Sequence, residues 1–171
     1  MERLGRLASA PRRPSDRLRQ SSSLVLAPPL DRLDPLRHRC GMNHRFTCRV
    51  YYEDTDLAGI VYYANYLKFI ERARTEWVRE LGIDQTALKR EEGIVFAVRR
   101  VEADYLSPAR FDDELSVETA PLSVGGARMV LSQTVLRGQE KLFVATVTLV
   151  ALTDAGKPAR ISQELRARFD A

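Results

Sequence analysis

The spacing of apolar and polar residues changes along the chain, and it separates strands from helices. Residues 45–52 are rich in β-branched and aromatic side chains, which is typical of a first β-strand. Between Ala64 and Leu81 apolar residues recur every three or four positions, a period that predicts an amphipathic helix. Gly82 follows directly and is a natural helix terminator. The pattern therefore predicts one strand followed by one long helix.

The second half of the chain has the pattern of a sheet. Asp84 can cap a short second helix that ends at Gly93, and Ser162 can open a short final helix. Strand-like segments lie near residues 94–105, 113–124, 127–137 and 141–153. Short glycine-containing turns separate the last three segments, so we expect that part of the sheet to be antiparallel. The element order indicates an α+β fold in which the long helix covers one face of the sheet.

Three polar or reactive features within these elements have simple structural interpretations. Arg74 falls inside the apolar arc of the long helix and Glu71 lies at its edge, which predicts a partly buried ion pair. Cys48, in the first strand, is interpreted as a small core residue rather than a nucleophile. His44 precedes that strand and is expected to be solvated.

Composition divides the chain at about residue 41. The chain has 171 residues, which fits a single domain with some sequence left over. Residues 1–41 carry nine Arg and four acidic residues, whereas residues 42–171 have a net charge of −1. The overall charge of +4 therefore belongs to the leading segment, and no nucleic-acid partner is expected.

The leading segment, residues 1–41, lacks aromatic residues and holds five of the eight prolines. Such a composition predicts a disordered or non-native N-terminal extension, with residues 42–171 forming the domain. Translated upstream sequence before a start at Met42 is one interpretation of it. An Arg- and Ser-rich organelle transit peptide is another, although four acidic residues argue against it.

Several classes of protein are excluded by what the sequence lacks. No apolar stretch approaches the roughly 18 to 20 residues that a membrane helix requires. Only two cysteines occur, Cys40 and Cys48, so a disulfide framework is not expected. We expect a reducing, cytoplasmic setting instead. Two histidines and two scattered cysteines give no metal-ligand spacing, and no glycine loop suited to phosphates is present. We therefore expect neither a metal nor a cofactor.

Candidate chemistry is concentrated in residues 50–66. Glu53, Asp54 and Asp56 stand at the end of the first strand, and a loop containing Gly59 then leads to the long helix. Free backbone N–H groups at a helix start favour negative charge, so this junction suits a carbonyl that becomes an oxyanion. Asp56 is the last carboxylate before the loop and the best placed to face the helix. Turn and cap chemistry is the alternative interpretation of the same cluster.

Residues 50–76 resemble a motif of the 4-hydroxybenzoyl-CoA thioesterase family of hot-dog proteins, and residues 105–113 match a second motif of that family. The sequence is most similar to the YbgC-like, tol-pal-associated branch of acyl-CoA thioesterases. The resemblance extends over about residues 45–168. It implies a hot-dog fold, a five-stranded antiparallel sheet wrapped around the long helix. It also implies a homodimer or homotetramer with active sites between subunits.

The resemblance further implies residue roles. Asp56 is expected to be the catalytic carboxylate, as nucleophile or general base, and a backbone N–H at the helix start near Tyr63 is expected to polarise the thioester carbonyl. Other residues of the motif are expected to contact the acyl-CoA substrate, namely Gly59, Val61, Tyr62 and Asn65.

One position departs from the pattern of the YbgC-like branch, which usually has histidine where this chain has Tyr63. Hydroxybenzoyl-type members resemble this chain at that point, so the departure affects the expected substrate range. It also supports an alternative function, a non-catalytic hot-dog module that binds a cell-envelope complex or an acyl carrier. Dehydratases of the same fold rely on a catalytic histidine, and beyond residue 41 this chain has only His44. A dehydratase is therefore not expected.

Overall fold

The structure is a computed structural model that describes residues 44–169. The extension predicted for residues 1–41, and Cys40 within it, lie outside the described residues. The described residues form the following elements in chain order: β1 (His44–Arg49), α1 (Asn65–Glu80), α2 (Gln85–Glu92), β2 (Ile94–Tyr105), β3 (Glu114–Val124), β4 (Arg128–Arg137), β5 (Glu140–Thr153) and α3 (Gln163–Phe169). This is the predicted order of elements.

The first strand is shorter than its sequence pattern predicts. It ends at Arg49, and Tyr52–Asp54 form a single 3₁₀ turn instead of continuing the strand. The main-chain N–H of Asp54 donates to the carbonyl of Tyr51 at 3.1 Å, and the Asp54 side chain accepts from the N–H of Tyr51 at 2.9 Å. An aspartate that binds the backbone three residues earlier favours a turn over an extended chain.

The five strands form one sheet in the order β1-β3-β4-β5-β2. Every neighbouring pair is antiparallel. The predicted hairpins join β3 to β4 and β4 to β5, and Arg137 faces Glu140 across the second turn. The α+β class and the antiparallel sheet predicted from the sequence are thus confirmed.

Helix α1 lies across the sheet and buries its apolar stripe against it. The buried residues of this stripe are Tyr66, Phe69, Ile70, Ala73 and Trp77. The first four face side chains of β3, β4 and β5 that are also buried, including Leu115, Val117, Val135, Phe143 and Val147. Trp77 belongs to a second cluster, with Met129 and Leu131. Full burial of each large apolar side chain contributes about 1.5–3 kcal/mol. Packing of this kind fixes the start of α1 relative to the strand ends.

Beneath α1, Gln133 of β4 is fully buried and makes three hydrogen bonds. Its Nε2 donates to the main-chain carbonyl of Ile70 and to the hydroxyl of Thr119, both at 2.9 Å. Its Oε1 accepts from Nη1 of Arg74 at 2.7 Å. Glu71 instead accepts from the Thr75 hydroxyl at 2.9 Å. The predicted Glu71–Arg74 ion pair is therefore corrected, because a buried amide on the sheet offers Arg74 a partner.

The expectations for the two residues of β1 had different outcomes. His44 is only 7% exposed and its Nε2 lies 3.2 Å from Glu80 Oε1, because β1 packs beside the end of α1. The expectation of a solvated histidine was wrong. Cys48 is half-buried and packs against the core, and burial raises the pKa of its thiol to about 11. A thiol that stays protonated at neutral pH fits the predicted core role.

Coverage of the sheet is uneven. Strand β2 has only β5 as a neighbour among the described strands, so its other edge is unpaired. Three of its apolar side chains are well exposed, Val98 at 49%, Val101 at 37% and Tyr105 at 49%.

Within residues 44–169, no helix has the length and apolar character needed to cross a membrane.

Candidate active site

The chain between the 3₁₀ turn and α1 folds into a narrow hairpin over residues 54–62, here called the aspartate hairpin. Thr55 and Val61 form an isolated antiparallel bridge across it. The N–H of Asp56 donates to the carbonyl of Ile60 at 3.0 Å, and the N–H of Tyr62 donates to the carbonyl of Asp54 at 2.9 Å. The loop noted in the sequence is thus an ordered element that ends where α1 begins.

Asp56 opens the turn at the tip of the aspartate hairpin. Its carbonyl accepts from the N–H of Gly59 at 2.9 Å, and its Oδ1 accepts from the N–H of Ala58 at 2.8 Å. Gly59 has φ +71°, a left-handed conformation that favours glycine. The Asp56 side chain is exposed, and its Oδ2 accepts no hydrogen bond from the described residues. One carboxylate oxygen therefore holds the turn while the other is available.

Asp54 has the opposite environment. It is only 2% exposed, and its Oδ2 accepts from the N–H of Tyr51. Its carbonyl also accepts from Nδ2 of Asn65 at 2.9 Å, which links the base of the aspartate hairpin to the first residue of α1. For this carboxylate the turn interpretation of the acidic cluster holds.

Tyr62 is the last residue of the aspartate hairpin and Tyr63 follows it before α1, with the two ring centroids 4.6 Å apart. The Tyr63 hydroxyl raises the pKa of Tyr62, and the Asp56 carboxylate adds a smaller contribution in the same direction. The carbonyl of Tyr63 accepts from the hydroxyl of Tyr105 at 3.1 Å. The N–H of Tyr63 has no acceptor among the described residues. The start of α1 therefore presents a main-chain donor on the same short segment as Asp56.

The remaining predicted residues have different surroundings. Gly59 and Tyr62 are exposed. Val61 is 3% exposed and belongs to the core, and Asn65 is 6% exposed with its amide bound to Asp54. Both buried side chains hold the aspartate hairpin in place, a contribution that the sequence did not reveal. Their assignment as substrate-binding residues stays a prediction.

A second loop supports the aspartate hairpin, and residue-by-residue reasoning missed its contribution. The N–H of Val61 donates to the carbonyl of Ala109 at 2.8 Å, and Ile60 forms an isolated bridge with Arg110. Ala109 and Arg110 belong to the second motif, residues 105–113, which was identified only through its resemblance to a family. A sequence pattern does not state which main-chain groups will meet across the fold.

A cavity of about 170 Å³ lies between α1 and the sheet. Trp77, Phe96 and Met129 contribute to its apolar walls, and Arg74 also lines it. The cavity contains none of the predicted site residues. In this single chain it is separate from the aspartate hairpin.

The groups available for chemistry near the hairpin are a carboxylate, two phenols and a main-chain amide. Within residues 44–169, no three His, Cys, Asp or Glu side chains are arranged to hold a metal ion. This set of groups suits acid–base or nucleophilic attack on a carbonyl whose oxygen is stabilised by an N–H donor.

Comparison with known proteins identifies the family. The model of the thioesterase superfamily matches residues 58–144. The chain belongs to the thioesterase superfamily. The part of the chain that matches the superfamily model includes Tyr62, Tyr63, α1 and the second motif, and it begins just after Asp56. The predicted hot-dog fold is thereby confirmed.

Individual superfamily members are similar to this chain over most of the described region. It is 44% identical to the acyl-CoA thioesterase YbgC of Haemophilus influenzae over 126 residues, which cover 72% of this chain and 92% of that protein. It is 39% identical to the acyl-CoA thioester hydrolase YbgC of Escherichia coli, with coverage of 73% and 94%. The crystal structure of a probable thioesterase from Bartonella henselae superposes with a TM-score of 0.68 at 38% identity, covering 71% of this chain and all of that one. The resemblance to YbgC-like thioesterases is confirmed.

Proposed function

We propose that this protein hydrolyses acyl-CoA thioesters to a free acid and CoA, with Asp56 as the catalytic carboxylate. The activity is supported by membership of the thioesterase superfamily and by similarity to the acyl-CoA thioesterase of H. influenzae over 92% of that protein's length. The observation that carries the residue assignment is the available Oδ2 of the exposed Asp56, close in the chain to the Tyr63 N–H.

In the proposed reaction, the thioester carbonyl oxygen accepts a hydrogen bond from the N–H of Tyr63. A fixed donor at a helix start stabilises the oxyanion that forms as the carbonyl carbon is attacked. Because this contribution comes from the main chain, tyrosine in place of histidine leaves it intact. Tyr62 and Gly59, exposed beside Asp56, are proposed to contact the substrate.

Asp56 can act by either of two balanced routes. As a nucleophile, it attacks the carbonyl carbon and expels CoA thiolate, and water then hydrolyses the mixed anhydride to restore the carboxylate. As a general base, it takes a proton from a water molecule that attacks the same carbon, and CoA leaves directly. Both routes consume one water and release one acid and one thiol, and neither requires a cofactor.

We also propose that the active protein is a homodimer or homotetramer in which a second copy covers β2. The exposed Val98, Val101 and Tyr105 and the unpaired edge of β2 support this assembly. Unpaired edges and uncovered apolar faces of a sheet favour association. A cytoplasmic setting agrees with the unpaired thiol of Cys48.

Release of free thiol tests the proposed function. The purified full chain is incubated with short, aromatic and long acyl-CoAs, and its oligomeric state is measured by light scattering. We expect hydrolysis of at least one class, and loss of it in Asp56→Asn. Glu53→Gln, at an exposed carboxylate three residues earlier, is the matched control and should retain activity.

A folded dimer that hydrolyses none of these thioesters would contradict the proposal. That result would favour the alternative, a non-catalytic module that binds an envelope complex or an acyl carrier, for which Tyr63 in place of histidine is the supporting observation.

A further inference from the structure

The aspartate hairpin is anchored by the buried Val61 side chain and by Asn65, and also by a neighbouring loop. Its returning strand rests on residues 106–113, here called the supporting loop. The main-chain contact between them is the 2.8 Å hydrogen bond from Val61 N–H to Ala109 O, which is part of the antiparallel bridge between Ile60 and Arg110. The position of Asp56 therefore depends in part on where the main chain of Ala109 and Arg110 lies.

Side chains from distant elements fix that main chain. The N–H of Ala109 donates to the hydroxyl of Tyr66 in α1 at 2.8 Å. The N–H of Arg110 donates to Oδ2 of Asp113 at 2.8 Å, and the same oxygen accepts from Nη1 of Arg137 at 2.7 Å. Nη2 of Arg137 donates in turn to Glu140 at 2.7 Å. The supporting loop is thus tied to the hairpin between β4 and β5.

The Asp113–Arg137 pair is partly shielded from solvent. The Asp113 side chain is 21% exposed and that of Arg137 is 33% exposed. Exposed ion pairs contribute little because solvent and salt screen them, and shielding lessens this effect. The pair is therefore better suited to fixing a loop than the exposed pair between Arg45 and Glu118.

Backbone geometry shows that the supporting loop is held in a costly conformation. Asp112 has φ +69° and is the only non-glycine residue with positive φ in the described part of the chain. Its N–H donates to Val50 O at 3.1 Å, and Arg49 Nη1 donates to its carbonyl at 3.0 Å and to its Oδ1 at 2.8 Å. Left-handed backbone in such a residue persists where its surroundings enforce it, and it concentrates at functional sites.

The same segment also reaches the other candidate group. Tyr105, which directly precedes the supporting loop, donates from its hydroxyl to the carbonyl of Tyr63 at 3.1 Å. Burial raises the pKa of Tyr105, which keeps the hydroxyl protonated as a donor. One stretch of chain therefore touches both the aspartate hairpin and the peptide at the start of α1.

We propose that Asp113 and Arg137 are positioning residues, which hold the supporting loop so that the Asp56 carboxylate and the Tyr63 N–H keep their relative geometry. The inference rests on the proposed function and extends it to two residues that do not touch the reacting atoms. Displacement of a reacting group by about 1 Å lowers a rate by up to about 10²-fold. The pair is therefore expected to affect kcat.

Asp113→Asn and Arg137→Gln test the proposal in the full chain. Asp113→Asn keeps the size of the side chain and removes its charge. Arg137→Gln replaces the guanidinium with a shorter, uncharged amide. We expect kcat to fall about 10- to 100-fold while KM changes less than about threefold, because geometry rather than binding is disturbed. Arg137→Lys, which retains a cationic donor, should recover part of the lost rate. Glu118→Gln, which removes the exposed pair with Arg45, is the matched control and should keep the wild-type kcat.

A readout independent of activity is amide hydrogen exchange. In Asp113→Asn the Val61 N–H should exchange faster, because its acceptor Ala109 is less firmly held, while amides between β4 and β5 keep their protection. A merely structural role would lower the melting temperature without changing kcat per folded molecule. If Asp113→Asn does not fold, Arg137→Gln, which removes the other charge of the pair, provides the same two measurements.

The outcomes separate the two proposals. If wild type and all variants hydrolyse no acyl-CoA, the proposed function fails, and the exchange of Val61 still reports on the supporting loop. If wild type is active and Asp56→Asn is not, then kcat within about twofold of wild type in both Asp113→Asn and Arg137→Gln overturns the positioning proposal alone.

Discussion

Asp54 and Asp56 are separated by one residue, and the fold gives them opposite surroundings. Asp54 is buried, with its carboxylate bound to the N–H of Tyr51 and its carbonyl bound to Asn65. Asp56 is exposed, and only one of its two carboxylate oxygens is engaged, by the N–H of Ala58. One acidic cluster thus serves two purposes, because the buried Asp54 builds the turn that leads to the exposed Asp56.

Removing the charge of Asp56 should have the largest effect. In Asp56→Asn the side-chain oxygen can still accept from the N–H of Ala58, so the turn is kept while the nucleophile or base is lost. We expect kcat to fall by about 10²- to 10⁴-fold, the scale for losing a positioned acid–base group. The melting temperature should stay close to that of wild type. A normal kcat in a normally folded variant would contradict the assignment, whatever acyl-CoA is used.

Truncating Asp54 should affect stability instead. Asp54→Ala removes a carboxylate that is 2% exposed and leaves the partly buried N–H of Tyr51 without its partner. The expected cost is about 1–3 kcal/mol in the free energy of unfolding, the range for an unsatisfied buried group. Urea denaturation measures it, and Glu53→Gln is again the control because Glu53 is exposed. Unchanged stability in Asp54→Ala would mean that the comparison between the two aspartates is wrong.

Gly59→Ala tests whether the tip of the aspartate hairpin needs left-handed backbone. A Cβ at Gly59 meets nothing within 4 Å, so any cost comes from φ +71° and not from a clash. We expect a loss of about 1 kcal/mol in stability. Gly126, in the turn between β3 and β4, has equally open space without a left-handed φ. Gly126→Ala should therefore change stability by less than about 0.5 kcal/mol, and an equal loss at both glycines would refute the argument.

The smallest effect is expected for Tyr63→Phe. If Tyr63 acts through its main-chain N–H, removing the hydroxyl should change kcat by less than about threefold, since the peptide and its bond to Tyr105 remain. The measurement is the thiol-release rate on the best acyl-CoA. A fall of more than about 10²-fold would show that the phenol itself takes part, and the chemistry would then be shared between Asp56 and a side chain.

Local signals explain why the helices and strands were predicted well. The period of apolar residues located α1. The cap at Asp84 was predicted from its residue type and position, and its side chain accepts from the N–H groups of Thr86 and Ala87 at 2.8 and 3.1 Å. Gly93, with φ +63°, ends α2 as its sequence position indicates. In each case the residues that decide the structure are neighbours in the chain.

What the sequence did not reveal depends on distant partners. Arg74 was matched with Glu71 because both lie on one helix, whereas its observed partner, Gln133, is 59 positions away. His44 was expected to be exposed because nothing nearby in sequence buries it. The same reason hid the difference between Asp54 and Asp56, since burial of one and exposure of the other follow from how the aspartate hairpin docks.

The buried amide of Gln133 has a consequence for how the protein reaches its fold. An apolar helix stripe on an apolar sheet can slide by a turn at little cost, and several alignments would bury similar area. Gln133 breaks this degeneracy, because in the native alignment its Nε2 donates to the Ile70 carbonyl and its Oε1 accepts from Arg74, both in α1. A helix displaced by one turn would remove both partners and leave the buried amide incompletely satisfied, at a cost of about 1–3 kcal/mol, which disfavours the misaligned state roughly 5- to 150-fold. One polar side chain thus specifies the axial register of α1 on the sheet. That register sets where the start of the helix lies relative to Asp56.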